Sequence, residues 1–198
     1  MNTTQKIWDH LTAAARNQPY SRRTFLKITL TTLAALQFPL DAFAQHTDIT
    51  GTERRLHFYN IHTGECFHDI YWCEGNYVEE NVAAIDRLFR DYRTGEIRTI
   101  DRELLDLLFS IHHDTPSREP MQIVSGYRSR KTNEYLIRKG RTSAHNSFHI
   151  KGKAVDINLP DIRLSLLRRK AVDLKVGGVG YYPRHRFIHV DTGPIRYW

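Results

Sequence analysis

The chain has 198 residues, of which 40% are hydrophobic and 26% charged, with a formal net charge of +7 and eleven histidines outside that count. These values suit one globular domain with a core of useful size and exclude a long disordered chain. The basic residues are scattered among ordinary elements, with no stacking platform and no groove-reading helix, which excludes nucleic acid as the partner.

The first segment reads as a targeting signal. Ser21-Arg22-Arg23-Thr24-Phe25-Leu26-Lys27 precedes a weakly apolar run, Ile28 to Leu40, and then Ala42-Phe43-Ala44. An arginine pair, a short apolar stretch and a small-x-small site describe a twin-arginine export signal over residues 1–44. The run is interrupted by threonines, Gln37 and Pro39, and falls short of the ~20 apolar residues of a spanning helix. A basic amphipathic helix at the start of a cytosolic protein is the bland alternative. The expected product is one domain, residues 45–198, in the periplasm and without a transmembrane segment. Residues 1–44 hold five basic and two acidic side chains, so the remainder carries +4. Such a protein is held near an anionic wall or membrane surface.

From Arg55 to Trp72 the pattern is a hairpin, turning at His62-Thr63-Gly64-Glu65. Cys66 and Cys73 bracket its return strand. Seven strand residues separate them by about 23 Å, beyond disulfide reach, so no intrachain bridge is expected. A helix is predicted from Glu79 to Tyr92, with Val82, Ile85, Leu88 and Phe89 on one face. Asp101 caps a second helix ending at His112-His113, where the helix dipole favours cations. That placement accounts for the histidine pair without a metal.

Met121 to Val124 is a strand entering Ser125-Gly126-Tyr127-Arg128-Ser129. Ser129 or Thr132 caps a helix that Gly140 stops. A polar loop, a strand from Lys153 to Leu159, and a helix from Pro160 to Leu174 follow. Two last strands run from Val179 to Tyr182 and from Phe187 to Asp191. This order is α+β rather than regular βαβ, and it predicts a small antiparallel sheet flanked by helices.

Histidine with carboxylate suits zinc, and a catalytic zinc takes three protein ligands and leaves a position for water. His149 lies on the loop feeding the strand that carries Asp156, and Gly152 between them lets that loop fold back. His189, on the last strand, is the best third candidate. Asp191 points the same way, two residues on. Beside this reading stands a plainer one, in which His149 and Asp156 are a surface polar pair.

Ser147-x-His149-x-x-Gly152-x-Ala154-x-Asp156 resembles the pattern of the M15-type zinc D,D-peptidases and dipeptidases, which share a core with the hedgehog signalling domain. The tail, Gly177-Gly178-Val179-Gly180-Tyr181-Tyr182-Pro183 and His189-Val190-Asp191-Thr192-Gly193-Pro194, is similar to the narrower YcbK-like branch of murein endopeptidases. The resemblance covers residues 52–198. It implies a hedgehog/D,D-peptidase-like core and one zinc ion on His149, Asp156 and His189. It implies cleavage of peptidoglycan cross-links, those between two diaminopimelate residues and those from D-alanine to diaminopimelate.

Within that frame Arg128 is expected to hold the carbonyl oxygen or developing oxyanion, with a structural salt bridge as its alternative. Tyr127 and Ser147 are expected at the substrate, although Ser147 equally suits a role in shaping the loop. Where several M15 enzymes carry a carboxylate three residues before the last zinc histidine, this chain has Arg186. Asp191 is then the first candidate for general base, and orienting His189 is its alternative role. His185 is a distant further candidate, and His145 is expected in solvent. The competing functional class is a zinc-stabilised domain that binds peptidoglycan or a protein without cleaving it.

Overall fold

The computed structural model describes residues 52–140 and 144–198. The expected export signal at residues 1–44 lies outside them. None of the described helices is long and apolar enough to cross a membrane.

The hairpin forms as its alternation predicts. Strand β1 (Glu53–Asn60) pairs antiparallel with β2 (Cys66–Cys73), and Leu56, Phe58, Phe67 and Tyr71 are buried from it. Cys66 and Cys73 sit free at the two ends of β2. The two-residue β3 (Asn76–Tyr77) follows. Helix α1 (Glu79–Leu88) lies on β2 and buries Val82, Ile85 and Leu88. Helix α2 (Arg102–His113) lies against β1, starting at Asp101, whose carboxylate accepts the Glu103 N–H. The remaining elements are β4 (Met121–Ser125), α3 (Arg130–Arg138, capped by Ser129), a 3-10 turn (Phe148–Lys151) and β5 (Ala154–Asn158). Helix α4 (Leu164–Asp173), β6 (Gly178–Tyr182), a 3-10 turn (Pro183–His185), β7 (Phe187–Asp191) and β8 (Arg196–Tyr197) complete the chain.

All eight strands join one sheet in the order β3-β2-β1-β4-β5-β7-β6-β8. The small antiparallel sheet expected from sequence is therefore corrected to a large mixed one. β1 runs parallel to β4, and β6 parallel to β8. The first parallel pair arises because the connection through α1 and α2 is long enough to cross over and bury the apolar side of β1. The second involves a strand of two residues, too short to carry a pattern. With α4 packed on β6 and β7 and touching α2, the fold is mixed α and β around one contiguous core.

Helix α1 ends at Leu88, earlier than its periodicity suggests. The chain leaves the helix so that Asp91 can turn inward, where it is 1% exposed. Its carboxylate accepts the Ser129 N–H at 3.0 Å, the Ser129 hydroxyl at 2.6 Å and the Arg93 N–H at 3.0 Å. Asp91 thereby anchors the segment leading from β4 to α3. Likewise α4 starts at Leu164 rather than Pro160. Asp161 is occupied with the Ser117 hydroxyl and the Arg118 N–H, which hold it in the preceding turn.

Burial alone would raise the pKa of Asp91, but the donors from Ser129, Thr132 and Arg93 outweigh it and hold the carboxyl below 3.8. A depressed folded pKa contributes stability that is complete above the unfolded value and lost as pH falls through the folded one. Asp91→Ala is expected to cost about 2–3 kcal/mol, because it leaves buried donors unpaired. Urea unfolding at pH 7 and below pH 3 checks this, with the difference between the two proteins shrinking in acid.

Candidate metal centre

Asp156 and His189 are direct cross-strand neighbours in the antiparallel β5–β7 pair. Side chains opposite one another on such strands share a face, so the register alone brings them together. His149 arrives from the 3-10 turn before β5. Gly152 ends that turn at φ +69°, and a Cβ there would lie 2.5 Å from the Thr99 carbonyl oxygen. Both the backbone angle and the close approach require glycine. Two further bonds brace the loop: the Asp101 N–H donates to the Gly152 carbonyl, and Lys153 Nζ pairs with the Asp101 carboxylate at 3.0 Å.

The three side chains converge. His149 Nε2 is 3.2 Å from His189 Nδ1 and 3.3 Å from Asp156 Oδ1, and His189 Nδ1 is 3.0 Å from the same oxygen. All three residues are buried, and among the described residues they are the one group of this kind that could hold a metal ion.

The outer hydrogen bonds decide which atoms face inward. His149 Nδ1 donates to the Gly126 carbonyl oxygen at 2.7 Å, which can only accept. His189 Nε2 donates to Asp191 Oδ2 at 2.8 Å. In its neutral form each imidazole therefore turns its lone pair toward the carboxylate oxygen of Asp156. Three acceptors face one another with no donor among them, and such an arrangement calls for a cation. Zinc bonds of about 2.0–2.1 Å in tetrahedral geometry set neighbouring ligands about 3.3 Å apart. The observed triangle has that size, so the donor set fits a zinc-sized ion.

The electrostatics agree. Burial pushes the His149 pKa down, against the pull of Asp156, so the ring is neutral as a ligand must be. Burial would raise Asp156, yet the two imidazoles hold its carboxyl well below the usual carboxylate range. At His189 burial also opposes charge, but Asp156 and Asp191 on either side outweigh it and lift the pKa to about 9, so a metal ion at this point takes the place of the proton on Nδ1. The negative field that raises His189 is the field that attracts a dication.

Asp191 lies behind His189 rather than over the open side. It is 0% exposed. Besides His189, it accepts from the Gly178 N–H, the Gly193 N–H and both terminal nitrogens of Arg196, at 3.0 and 2.6 Å. Burial opposes ionisation, but the donors from His189 and Arg196 win and hold its pKa down to about 2. A carboxylate so enclosed orients an imidazole.

An open cleft of about 270 Å³ stands over the three ligand atoms. Arg128 lines it, held through Asn133 Oδ1 at 3.3 Å, while its buried Nε has no protein partner. Burial lowers the Arg128 pKa despite the nearby Asp156 charge, and a guanidinium remains protonated regardless. Ser147 also lines the cleft, where its hydroxyl accepts the His149 N–H and caps the turn.

Tyr127 departs from expectation. It is 4% exposed, its hydroxyl donates to Glu96, and it is not among the residues lining the cleft. Beyond the end of β4 its N–H bonds to the Phe89 carbonyl, and its ring joins the core instead. Burial and the Glu96 carboxylate push its pKa up to about 12. Arg186 takes a left-handed turn at φ +59° and lines a separate cavity with Tyr181 and Pro183. His145 and His185 are exposed. His112 and His113 contact the Glu119 carbonyl and Asp114 at the end of α2.

The pattern of the sequence did not single out the cleft's aromatic side. Trp198, Tyr182 and Phe187 line it together with Arg196. Their one signal was proximity to the tail motif. Apart from Asp156, the described residues place no carboxylate in the cleft.

Two imidazoles and one carboxylate with an open side make the kind of centre found in single-ion metallohydrolases. Comparison with known proteins specifies the family. Residues 48–198 match the family model described as peptidoglycan L,D-endopeptidase MepK, of the M15 peptidases. The chain is 40% identical over 178 residues to the peptidoglycan L,D-endopeptidase MepK of Escherichia coli (strain K12), covering 90% of this chain and 97% of that protein. It shows the same identity to the Shigella flexneri protein, and 38% over 150 residues to the probable enzyme of Haemophilus influenzae, covering 75% and 81%. The chain belongs to this family of peptidases.

Replacing Asp191 by Asn is expected to weaken zinc binding 10- to 100-fold, the usual effect of disturbing a residue that orients a metal ligand. Competition against a chromogenic chelator checks it. An unchanged affinity would remove Asp191 from that role.

Proposed function

We propose that this protein is an exported zinc endopeptidase that cleaves peptide cross-links of peptidoglycan. Its substrates are the L,D-links between diaminopimelate residues and, as a second class, D-alanine–diaminopimelate links. The observation that carries the reading is the meeting of three lone pairs, from His149, Asp156 and His189, at the foot of an open cleft in a chain of this family.

When bound, zinc supplies a Lewis acid that makes water nucleophilic near neutral pH and polarises the scissile carbonyl. The protein does the rest. His149 Nε2, Asp156 Oδ1 and His189 Nδ1 would hold the ion, and the Gly126 carbonyl and Asp191 fix the two ring tautomers. Arg128, a half-buried cation lining the cleft, holds the carbonyl oxygen as negative charge develops on it. Ser147 shapes the turn that presents His149. Asp191 acts as the positioning residue behind His189.

Residues 1–44 are the twin-arginine signal in this reading. The remaining +4 chain works in the periplasm against an anionic polymer.

Digestion of purified sacculi followed by muropeptide separation tests the proposal. Cross-linked dimers are expected to disappear with the zinc-loaded protein and to persist with chelator or with His189→Ala. Intact dimers in the presence of the loaded protein would instead favour a domain that binds the wall without cutting it.

A further inference from the structure

Hydrolysis of an amide needs a proton for the departing nitrogen, and the site described above does not supply one. Asp156 is turned to the two imidazoles, and Asp191 is fully buried under its donors. Arg128 and Arg196 do not give up protons at working pH. Ser147 is a far weaker acid than a phenol and is committed to its turn. His149 and His189 keep their protons on the outer nitrogens, bonded to the Gly126 carbonyl and Asp191, so among the described residues that line the cleft this leaves Tyr182.

We propose that Tyr182 is a catalytic residue that protonates the leaving amine, and that Trp198 holds it in place for that purpose. The proposal rests on the peptidase reading above. Trp198 Nε1 lies 2.8 Å from the Tyr182 hydroxyl oxygen. An indole N–H can only donate. The Tyr182 oxygen is therefore the acceptor in that bond, and its own proton is free for another partner. The same N–H stabilises the phenolate left behind once that proton has gone.

The pair is built rather than incidental. Trp198 is paired to β6 on both sides, accepting the Tyr181 N–H at 2.9 Å and donating to the Val179 carbonyl at 3.2 Å. Its indole lies over Gly180, where a Cβ would come within 2.7 Å of the ring. Gly180 is the cross-strand partner of His189, and Tyr182 that of Phe187. The Trp198 ring accordingly sits 5.4 Å from the His189 ring, and Tyr182 stacks on Phe187 at 4.7 Å. The hydroxyl is thus set on the side of the cleft occupied by a ligand histidine. The charged or titratable groups around it are Arg184, His185 and Arg186 after β6, His189 on β7, Arg196 at 5.1 Å from the Trp198 ring, and Arg128 in the cleft. Asp156 is the one carboxylate lining the cleft with them.

In the step itself the water oxygen bonds to the scissile carbonyl carbon and the carbon–nitrogen bond breaks. The nitrogen leaves with the bonding pair and takes the Tyr182 proton. The proton given up by the attacking water passes to solvent in the open cleft, and the phenolate takes one back from solvent. Nothing is oxidised or reduced.

Leaving-group dependence tests the assignment. Tyr182→Phe keeps the stacked ring and removes only the hydroxyl. On a purified cross-linked muropeptide, its kcat is expected to fall about 100-fold or more, with KM within about threefold. On an analogue with the same acyl group as a thioester, whose thiolate leaves without a proton, the loss is expected to stay within about fivefold. Trp198→Phe, lacking the N–H, should fall between wild type and Tyr182→Phe on the amide. Zinc affinity of Tyr182→Phe, measured by chelator competition, should match wild type. Retained amide cleavage, an equal loss on both substrates, or a loss of zinc affinity would each overturn the proposal while leaving the peptidase reading intact. A wild-type protein that cleaves neither substrate would overturn both.

Discussion

Three lone pairs pointed at one another are a constraint that only a cation between them, a proton or a metal ion, relieves. His149 Nε2, His189 Nδ1 and Asp156 Oδ1 stand 3.0–3.3 Å apart, and the two imidazoles are turned inward by bonds made on their far sides. Much of the surrounding structure serves that convergence. The β5–β7 register sets Asp156 beside His189, and the left-handed turn at Gly152 returns His149 to the same point. Asp101 ties the start of α2 to the loop after His149 and, through the Thr192 hydroxyl, to the end of β7.

The supporting residues form two layers around these three side chains. One is backbone: the Gly126 carbonyl fixes His149, and Asp91 anchors the segment that follows Gly126 by holding Ser129. The other is ionic: Asp191 fixes His189 and is itself held by Arg196. The Arg196 guanidinium lies about equally far from the Phe148 and Trp198 rings, at 5.0 and 5.1 Å. Arg196 of short β8 therefore braces His189, and Trp198, just after the strand, borders the cleft. This explains how a strand of two residues, paired at the edge of the sheet, bears on the chemistry at its centre.

The sequence made some of this legible and hid the rest for identifiable reasons. The hairpin, α2 with its Asp101 cap, the Ser129 cap and the last two strands follow from local pattern and capping chemistry. The ligand candidates were legible because their spacing around Gly152 carries a local mechanism. Sheet order was not, because the β1–β4 pairing joins segments some sixty residues apart, and no periodicity records that. Tyr127 was misjudged because a motif fixes neighbours in sequence but not which way a side chain faces. Two roles for Asp191 stayed open in the sequence because its burial and its donors come from the tertiary structure. Trp198 and Tyr182 escaped notice because their contact crosses between two strands, and only Gly180, a glycine in a strand, hinted that something large lay across it.

The central claim is that these three atoms, and no others, hold a metal ion. The most direct measurement is anomalous diffraction at the zinc edge from crystals of the zinc-loaded protein. The account predicts one peak about 2.0–2.2 Å from His149 Nε2, Asp156 Oδ1 and His189 Nδ1, with Asp191 outside bonding distance. A peak bonded through His189 Nε2 or Asp191, or no peak at this position, would contradict it.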